Sequence, residues 1–254
     1  MAQAAKPGWR QAAWVVATAS LAAAGAYLFT LSRSVVEDAV DGPPLRVRVV
    51  GERDFLTERP LVVSALVTDP ARTVADLTPD DVEAFVWYAT THGWSDVATA
   101  VHAIRLEFRT DEASPVVIER IVPRLVARAA PKTGWFIARG GCGVLPIRSA
   151  GLDLDEPAPT VTPRAADGAR LGKLFVTRDE VEILQIEAVT ERHYVEWVLD
   201  IEYSAHSGAG SVRIDDDGAP FKLSSEVGSA AYRLDWQTRS FERHPAWDDG
   251  IDMC

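Results

Sequence analysis

The sequence predicts a mainly β domain, an antiparallel β-sandwich with one short inserted α-helix, preceded by a single N-terminal transmembrane helix. Three observations support this prediction. Short runs that alternate apolar and polar residues recur from Leu45 onward. A helix signal covers residues 79–92, and residues 11–32 carry no charge.

Residues 11–32 predict the transmembrane helix. At 1.5 Å per residue, an uncharged helix of this length spans a hydrocarbon core of roughly 30 Å. Lys6 and Arg10 favour a cytoplasmic N-terminus, residues 1–10, which places the bulk of the chain outside the cell. The sequence therefore predicts a single-pass signal-anchor in the cell membrane, in contact with the lipid bilayer, with an extracellular C-terminal domain.

Two alternatives to the anchor stay open. The small residues of 22–26 resemble a signal-peptidase cleavage site. The apolar stretch is, however, longer than the apolar region of a typical signal peptide, which has roughly 7–15 residues. A buried helix of a soluble domain is the other alternative, because an alanine-rich helix is only mildly hydrophobic.

The rest of the chain divides into three parts. Residues 33–44 mix acidic residues with glycine and proline and predict a stalk. Residues 45–245 form the predicted extracytoplasmic β-rich domain, in which the proline- and glycine-rich stretch 153–172 predicts a long surface loop. Residues 246–254 form a tail.

The strands and the inserted helix have separate signals. Thr78 can cap a helix that begins at Pro79, the apolar stripe of residues 82–89 follows, and Gly93 is a natural stop. The predicted strands are 45–50, 60–67, 102–109, 115–128, 134–139, 173–178, 182–191, 194–203, 210–215 and 232–237. Within 194–203, the pattern places Val195, Trp197, Leu199 and Ile201 on one buried face.

Several segments carry a resemblance to a known family. They are Asp76–Pro79 before the helix, His102–Leu106 at the start of a strand, Arg128–Pro131, Ala188–Tyr194 followed by Trp197, and Ile214–Phe221. Over roughly residues 60–225 the chain resembles an uncharacterised family of actinobacterial, chiefly streptomycete, single-pass membrane proteins. The resemblance implies a membrane-tethered β-rich domain and brings no activity, cofactor or catalytic residue with it.

The charge of the chain argues against nucleic-acid binding. The formal net charge is −11, and residues 34–254 carry −14, from 23 basic and 37 acidic residues. A surface of this sign repels phosphate backbones, and no local basic patch offsets it.

The sequence assigns no catalytic, cofactor-binding or metal-binding residue. The acidic run at Asp215–Gly218 departs from a calcium-loop template at Arg213 and Ser224, so a β-turn at Asp217–Gly218 is the better interpretation. The five histidines lack metal-ligand spacing, and no nucleophile motif is present. Glu191–Tyr194 stands where a hairpin between two strands is expected, with its charges in solvent.

The tryptophans and cysteines give further predictions. Trp197 and Trp236 are expected in the core, and packing is also favoured for Trp94, Trp135 and Trp247 over stacking on a ligand. Cys142 and Cys254 are the only cysteines, and on the oxidising side of the membrane they are expected to form a disulfide. Two free thiols are the alternative.

These features favour a non-enzymatic envelope protein that binds another protein or a cell-wall component. An extracytoplasmic, hydrolase-like enzyme whose active site the sequence does not reveal is the alternative. A deep pocket with converging histidines and carboxylates would favour the enzyme, whereas a solid core with shallow loops would favour binding.

Overall fold

The computed structural model describes residues 43–50, 64–78, 89, 92–138, 148–165, 168–235 and 237–244. The chain divides into two compact units, Met1–Pro44 and Leu45–Cys254, and the described strands belong to the second. The described ranges hold no helix long and apolar enough to cross a membrane. The predicted transmembrane helix 11–32 and tail 246–254 lie outside them, as does the predicted stalk up to residue 42.

The described residues are mainly β-strand, as predicted. The strands are β1 Arg46–Val50, β2 Ser64–Ala65, β3 Ala98–Thr99, β4 Val101–Arg109, β5 Val116–Ala129, β6 Trp135–Ile137, β7 Arg148–Asp153, β8 Thr162–Arg164, β9 Leu174–Val176, β10 Glu182–Val189, β11 Tyr194–Ala205, β12 Gly208–Ile214, β13 Phe221–Ser224, β14 Ala230–Asp235 and β15 Ser240–Arg243. A 3-10 helix covers Val74–Asp76.

The strands form three sheets. The first has the order β1-β4-β10-β7-β8, the second β2-β3-β13-β11-β5-β9 with β12 also on β11, and the third β15-β14-β6. The prediction of antiparallel pairing throughout is wrong, because β10 with β7, β13 with β3 and β14 with β6 are parallel. Alternation of apolar residues reports which face is buried, and it carries no information about strand direction.

One hydrophobic core lies between the first and second sheets. From the first sheet it takes the inward residues of β4 and β10, including Leu106 and Ile186. From β11 it takes Val195, Trp197, Leu199 and Ile201, all fully buried, so the predicted face of this strand is confirmed. The alternation that buries these residues leaves the intervening residues of β11 on the opposite face of the sheet.

The predicted helix 79–92 falls almost wholly outside the described residues. At its C-terminal end, Gly93 has φ +68° and Trp94 N–H donates a 2.7 Å hydrogen bond to the Ala89 carbonyl. This five-residue span with glycine in the left-handed region is the bond of a Schellman motif. The local geometry at Gly93 is therefore that of a helix stop.

The predicted turn at Asp217–Gly218 is confirmed. Asp217 has φ +50° and Gly218 φ +90°, the signs of a type I′ turn, and Asp216 and Ala219 exchange backbone hydrogen bonds across it. β12 and β13, on either side of this turn, pair with successive parts of the same strand, β11. The acidic turn between them is exposed.

The stretch 153–172, predicted as a surface loop, has more structure than a loop. It contains β8, which pairs with β7, and it buries Leu154 and Asp155. Leu154 enters the core, and Asp155 has polar partners that are distant in the sequence. Neither contact is visible in the local composition of proline, glycine and acidic residues.

Candidate binding site

The turn Thr190–His193 carries the chain from the first sheet to the second. β10 before it pairs with β4 and β7, whereas β11 after it pairs with β5, β12 and β13. The predicted hairpin between these two strands is therefore wrong. Two consecutive strand patterns can belong to opposite sheets, because alternation marks the buried face and not the partner strand.

Asp155 holds this turn in place from the segment after β7. Its carboxylate accepts hydrogen bonds from the Thr190 hydroxyl at 2.8 Å and from the Glu191 N–H at 2.7 Å. It also lies 2.6 Å from Nδ1 of His193, and Nε of Arg192 approaches to 3.6 Å. Its side chain is only 5% exposed, so these partners replace water around a buried charge.

The surroundings of Asp155 favour its charged form. Burial alone would raise the pKa of this carboxyl. Hydrogen bonds from His193, Glu191 and Thr190, together with the charge of Arg192, outweigh burial and lower the pKa from 3.8 to about 2. The carboxylate is therefore ionised at neutral pH and acts as a fixed acceptor at the centre of the turn.

His193 pairs with Asp155 through Nδ1, which leaves Nε2 on the other side of the ring. The side chain is 31% exposed, and no hydroxyl or thiol of the described chain donates to it. An imidazole oriented by a buried carboxylate is the arrangement of a general base. Here the base is present without an adjacent protein nucleophile in the part that the structure describes.

A shallow groove of about 410 Å³ lies beside this turn on the outer face of the first sheet. Val101 and Val189 supply apolar walls, and Asp153, Glu156 and Glu187 supply carboxylates. Arg164 and two threonines, Thr160 and Thr162, complete the polar lining. The groove and the turn are contiguous in sequence, because Asp153 and Glu156 flank the Asp155 region and Val189 precedes Thr190.

Gly151 forms the floor of this groove. It pairs with Glu187 on one side and with Thr162 on the other, in the middle of the sheet. A Cβ atom added at Gly151 would meet nothing within 4 Å, so the space above the backbone is open. A glycine in the interior of a strand weakens the sheet and often marks a place where another molecule approaches the backbone.

A second groove of about 410 Å³ lies between β5 and the segment before β8. It is lined by Ile118, Ile121 and Leu174 together with Pro123 and Pro163. The aliphatic members belong to the core or border it, so this groove is a seam between sheet edges. It carries fewer unpaired charges than the groove over Gly151.

The other described histidines do not lie together in the fold. His102 lies against Trp197 and Phe221 in edge-on contacts, and burial lowers its pKa to about 4. His92 and His206 are exposed. The described residues contain no group of three histidine, cysteine, aspartate or glutamate side chains that could hold a metal ion.

The described tryptophans are buried and pack against other side chains. Trp197 is 0% exposed, and Trp94 and Trp135 are buried in an edge-on contact with a centroid distance of 6.4 Å, as predicted. Trp236 and Trp247 lie outside the described residues. So do Cys142 and Cys254, and their disulfide stays a prediction.

A scan against protein-family models and a search of the curated proteins both found no match to this chain.

The pairing of Asp155 with His193 was not predicted from the sequence, because the two residues are 38 positions apart. The order of residues in Thr190–His193 does indicate that this turn needs a hydrogen-bond acceptor. A threonine followed by charged residues, between two strongly alternating segments, is typical of a turn with free N–H groups. The identity of that acceptor depends on the crossing between sheets.

Proposed function

We propose that this chain is a membrane-anchored extracytoplasmic binding module, whose β-sandwich domain recognises another protein or a cell-wall component and catalyses no reaction. The observation that carries the proposal is the open groove over Gly151, whose charged side chains form no ion pair with any other described residue. Shallow, mixed-polarity grooves on a packed scaffold suit binding better than catalysis in an enclosed site.

The packing of the domain supports this proposal. The first two sheets share a core with many fully buried side chains, among them Phe108, Trp197 and Leu184. Such a core is a rigid support for recognition at the sheet face and at the connections between sheets. The anchor at residues 11–32 and the outward orientation of the domain are parts of the proposal that rest on the sequence.

Cross-linking in intact cells tests the binding function. A photoreactive residue in place of Thr160, which is exposed and lines the groove, is expected to cross-link to a partner. The same residue in place of Thr238, exposed at the β14–β15 turn, is the control. Equal labelling from both positions, or no adduct from Thr160, contradicts a specific surface at the groove.

The orientation has its own test. A reporter enzyme fused after Cys254 should be active only if it works outside the cytoplasm, because Lys6 and Arg10 hold the N-terminus inside. The full-length chain should also stay in the membrane fraction through an alkaline wash. A C-terminal reporter that is active in the cytoplasm contradicts the localisation, and a soluble product shortened at its N-terminus indicates a cleaved signal peptide.

A second function, extracytoplasmic hydrolysis, is favoured by one observation, the pairing of Asp155 with His193. In this function His193 Nε2 would take a proton from an attacking water, and Asp155 would stabilise the imidazolium. Its test is the hydrolysis of an activated ester such as p-nitrophenyl acetate by the full-length chain. A rate that falls at least about tenfold in His193→Gln supports catalysis, and an unchanged rate contradicts it.

A further inference from the structure

We infer that the groove over Gly151 binds a lysine-type side chain of a peptide partner. The ammonium of this side chain lies at the carboxylates, and its aliphatic stem packs on the apolar wall. The inference rests on the proposed binding function and specifies the chemistry of the partner. It is carried by the charges of the groove, by a buried amide beside it and by the apolar walls.

The lining of the groove is acidic. Asp153, Glu156 and Glu187 line it, and within the described chain none of the three forms an ion pair. Several carboxylates elsewhere on the sheets do form ion pairs: Glu107 with Arg48, Glu202 with Arg120, and Glu182 with Arg148. The groove therefore concentrates negative charge that no described ion pair neutralises, and a cation is its complement.

The positive group at the groove does not cancel this charge. Arg164 lines the groove and donates through one guanidinium nitrogen to the Gly168 carbonyl at 3.3 Å. It is exposed and forms no described ion pair. Three carboxylates against one guanidinium leave a net negative lining.

A buried amide lies next to Glu187. Gln185 is 1% exposed, and its Nε2 donates to Oε1 of Glu187 at 3.0 Å. Its Oε1 is buried and has no hydrogen-bond partner among the described residues. Through this hydrogen bond the buried amide orients the Glu187 carboxylate, which can still accept hydrogen bonds from an ammonium in the groove.

Two valines form an apolar wall of the groove. Val101 and Val189 are directly paired across β4 and β10, so their side chains lie together on the outer face of the sheet. Gly151 leaves the floor between Glu187 and Thr162 open. An aliphatic stem can pack on the two valines while its charged end reaches the carboxylates, as lysine side chains do on protein surfaces. A compact ammonium on an aliphatic stem matches this combination of an apolar wall and an acidic floor.

Fluorescence anisotropy with the full-length chain in detergent tests the inference. The probe is a capped, dye-labelled glycine pentapeptide with a central lysine, and its counterpart has norleucine in place of lysine. We expect saturable binding of the lysine peptide and none of the norleucine peptide. Glu187→Gln and Gly151→Val, which remove a charge and fill the floor, should each weaken binding at least about tenfold.

The controls separate the groove from the general acidity of the protein. Glu180→Gln removes an exposed carboxylate before the opposite end of β10, and it should leave the affinity unchanged. Equal binding of the two peptides, or equal losses in Glu187→Gln and Glu180→Gln, overturns the inference. A chain that cross-links from Thr160 but does not bind the lysine peptide overturns the inference alone. A chain that does neither overturns the proposed function as well.

Discussion

The carboxylate of Asp155 lies 2.6 Å from Nδ1 of His193, and this contact joins the end of one sheet to the start of another. Around it, Thr190 and Glu191 donate to the same carboxylate, so one buried charge fixes the geometry of the crossing turn. The groove over Gly151 begins at this turn, because Asp153 and Val189 line it on either side. Loss of the Asp155 charge should therefore affect both the stability of the domain and the shape of the groove.

Replacement of this charge should destabilise the domain in a pH-dependent way. Asp155→Asn places an amide opposite N–H donors, so urea unfolding at pH 7 should show a loss of about 2 kcal/mol. The pKa of Asp155 is lowered to about 2 in the folded state, below its value of about 4 in the unfolded chain. The charge therefore stabilises fully above pH 4, and this contribution is lost as the pH falls towards 2.

The measurement is the difference in unfolding free energy between wild type and Asp155→Asn at pH values from 7 down to 2.5. The difference should shrink below pH 4. Asp179→Asn, at an exposed carboxylate before β10, should stay within about 0.5 kcal/mol of wild type at pH 7. A difference between wild type and Asp155→Asn that is constant with pH would show that the Asp155 charge does not hold the turn.

Ten of the described strands coincide with predicted ones, among them β4, β5 and β11, because burial on one face imposes alternation on the sequence. No bounds were predicted for β3, β7, β8, β13 and β15. β8 contains Pro163, and β7 contains Gly151, residues that are depleted in strands. These two strands are held in the sheet by their neighbours, which local propensity cannot report.

The candidate site was less predictable than the fold. Asp155, Glu187 and Val101 come from three separate segments, and they approach one another only because β10 pairs with β4 on one side and β7 on the other. The parallel pairing of β7 with β10 is the step that the sequence does not reveal. By contrast, the turn at Asp217–Gly218 was predictable, because its two positive φ angles are a local requirement that glycine and aspartate meet.

Trp197 should be the most sensitive position of the core that we can name. Its side chain is fully buried and contacts the rings of Phe221 and His102. Trp197→Ala should cost roughly 3–5 kcal/mol in urea unfolding, because a large cavity would remain. Val227→Ala, at a side chain that is 61% exposed, is the control and should change stability by less than about 0.5 kcal/mol. Similar melting temperatures for both variants would show that the β11 face is misassigned.

Ala100 should be a site where glycine stabilises the protein. It joins β3 in the second sheet to β4 in the first, and its φ of +63° lies in the left-handed region. This conformation costs roughly 1–2 kcal/mol for a residue with a Cβ, and glycine avoids that cost. Glycine also has greater entropy in the unfolded chain, which reduces the gain in stability by roughly 0.5–1 kcal/mol. Ala100→Gly should therefore raise the unfolding free energy by up to about 1 kcal/mol.

The same substitution elsewhere gives the opposite sign. Ala127 lies exposed in β5, in an extended strand where glycine has no conformational advantage. Ala127→Gly should lower the unfolding free energy by about 0.5–1 kcal/mol. If both substitutions destabilise equally, the corner at Ala100 does not require a left-handed residue.

Gly134 and Gly151 should respond oppositely to alanine. A Cβ atom at Gly134 would lie 2.0 Å from the Val67 carbonyl oxygen, and this oxygen also accepts a 3.0 Å hydrogen bond from Trp135 N–H. The contact is with backbone on both sides, so no side-chain rotation relieves it, and Gly134→Ala should cost at least about 1–3 kcal/mol. A Cβ atom at Gly151 meets only open space in the groove, and alanine there restricts the unfolded chain, so Gly151→Ala should be neutral or slightly stabilising. Urea unfolding of the two variants compares them directly. If Gly151→Ala is destabilised and Gly134→Ala is not, then the space over Gly151 is not open and the backbone at Gly134 does not lie close to Val67.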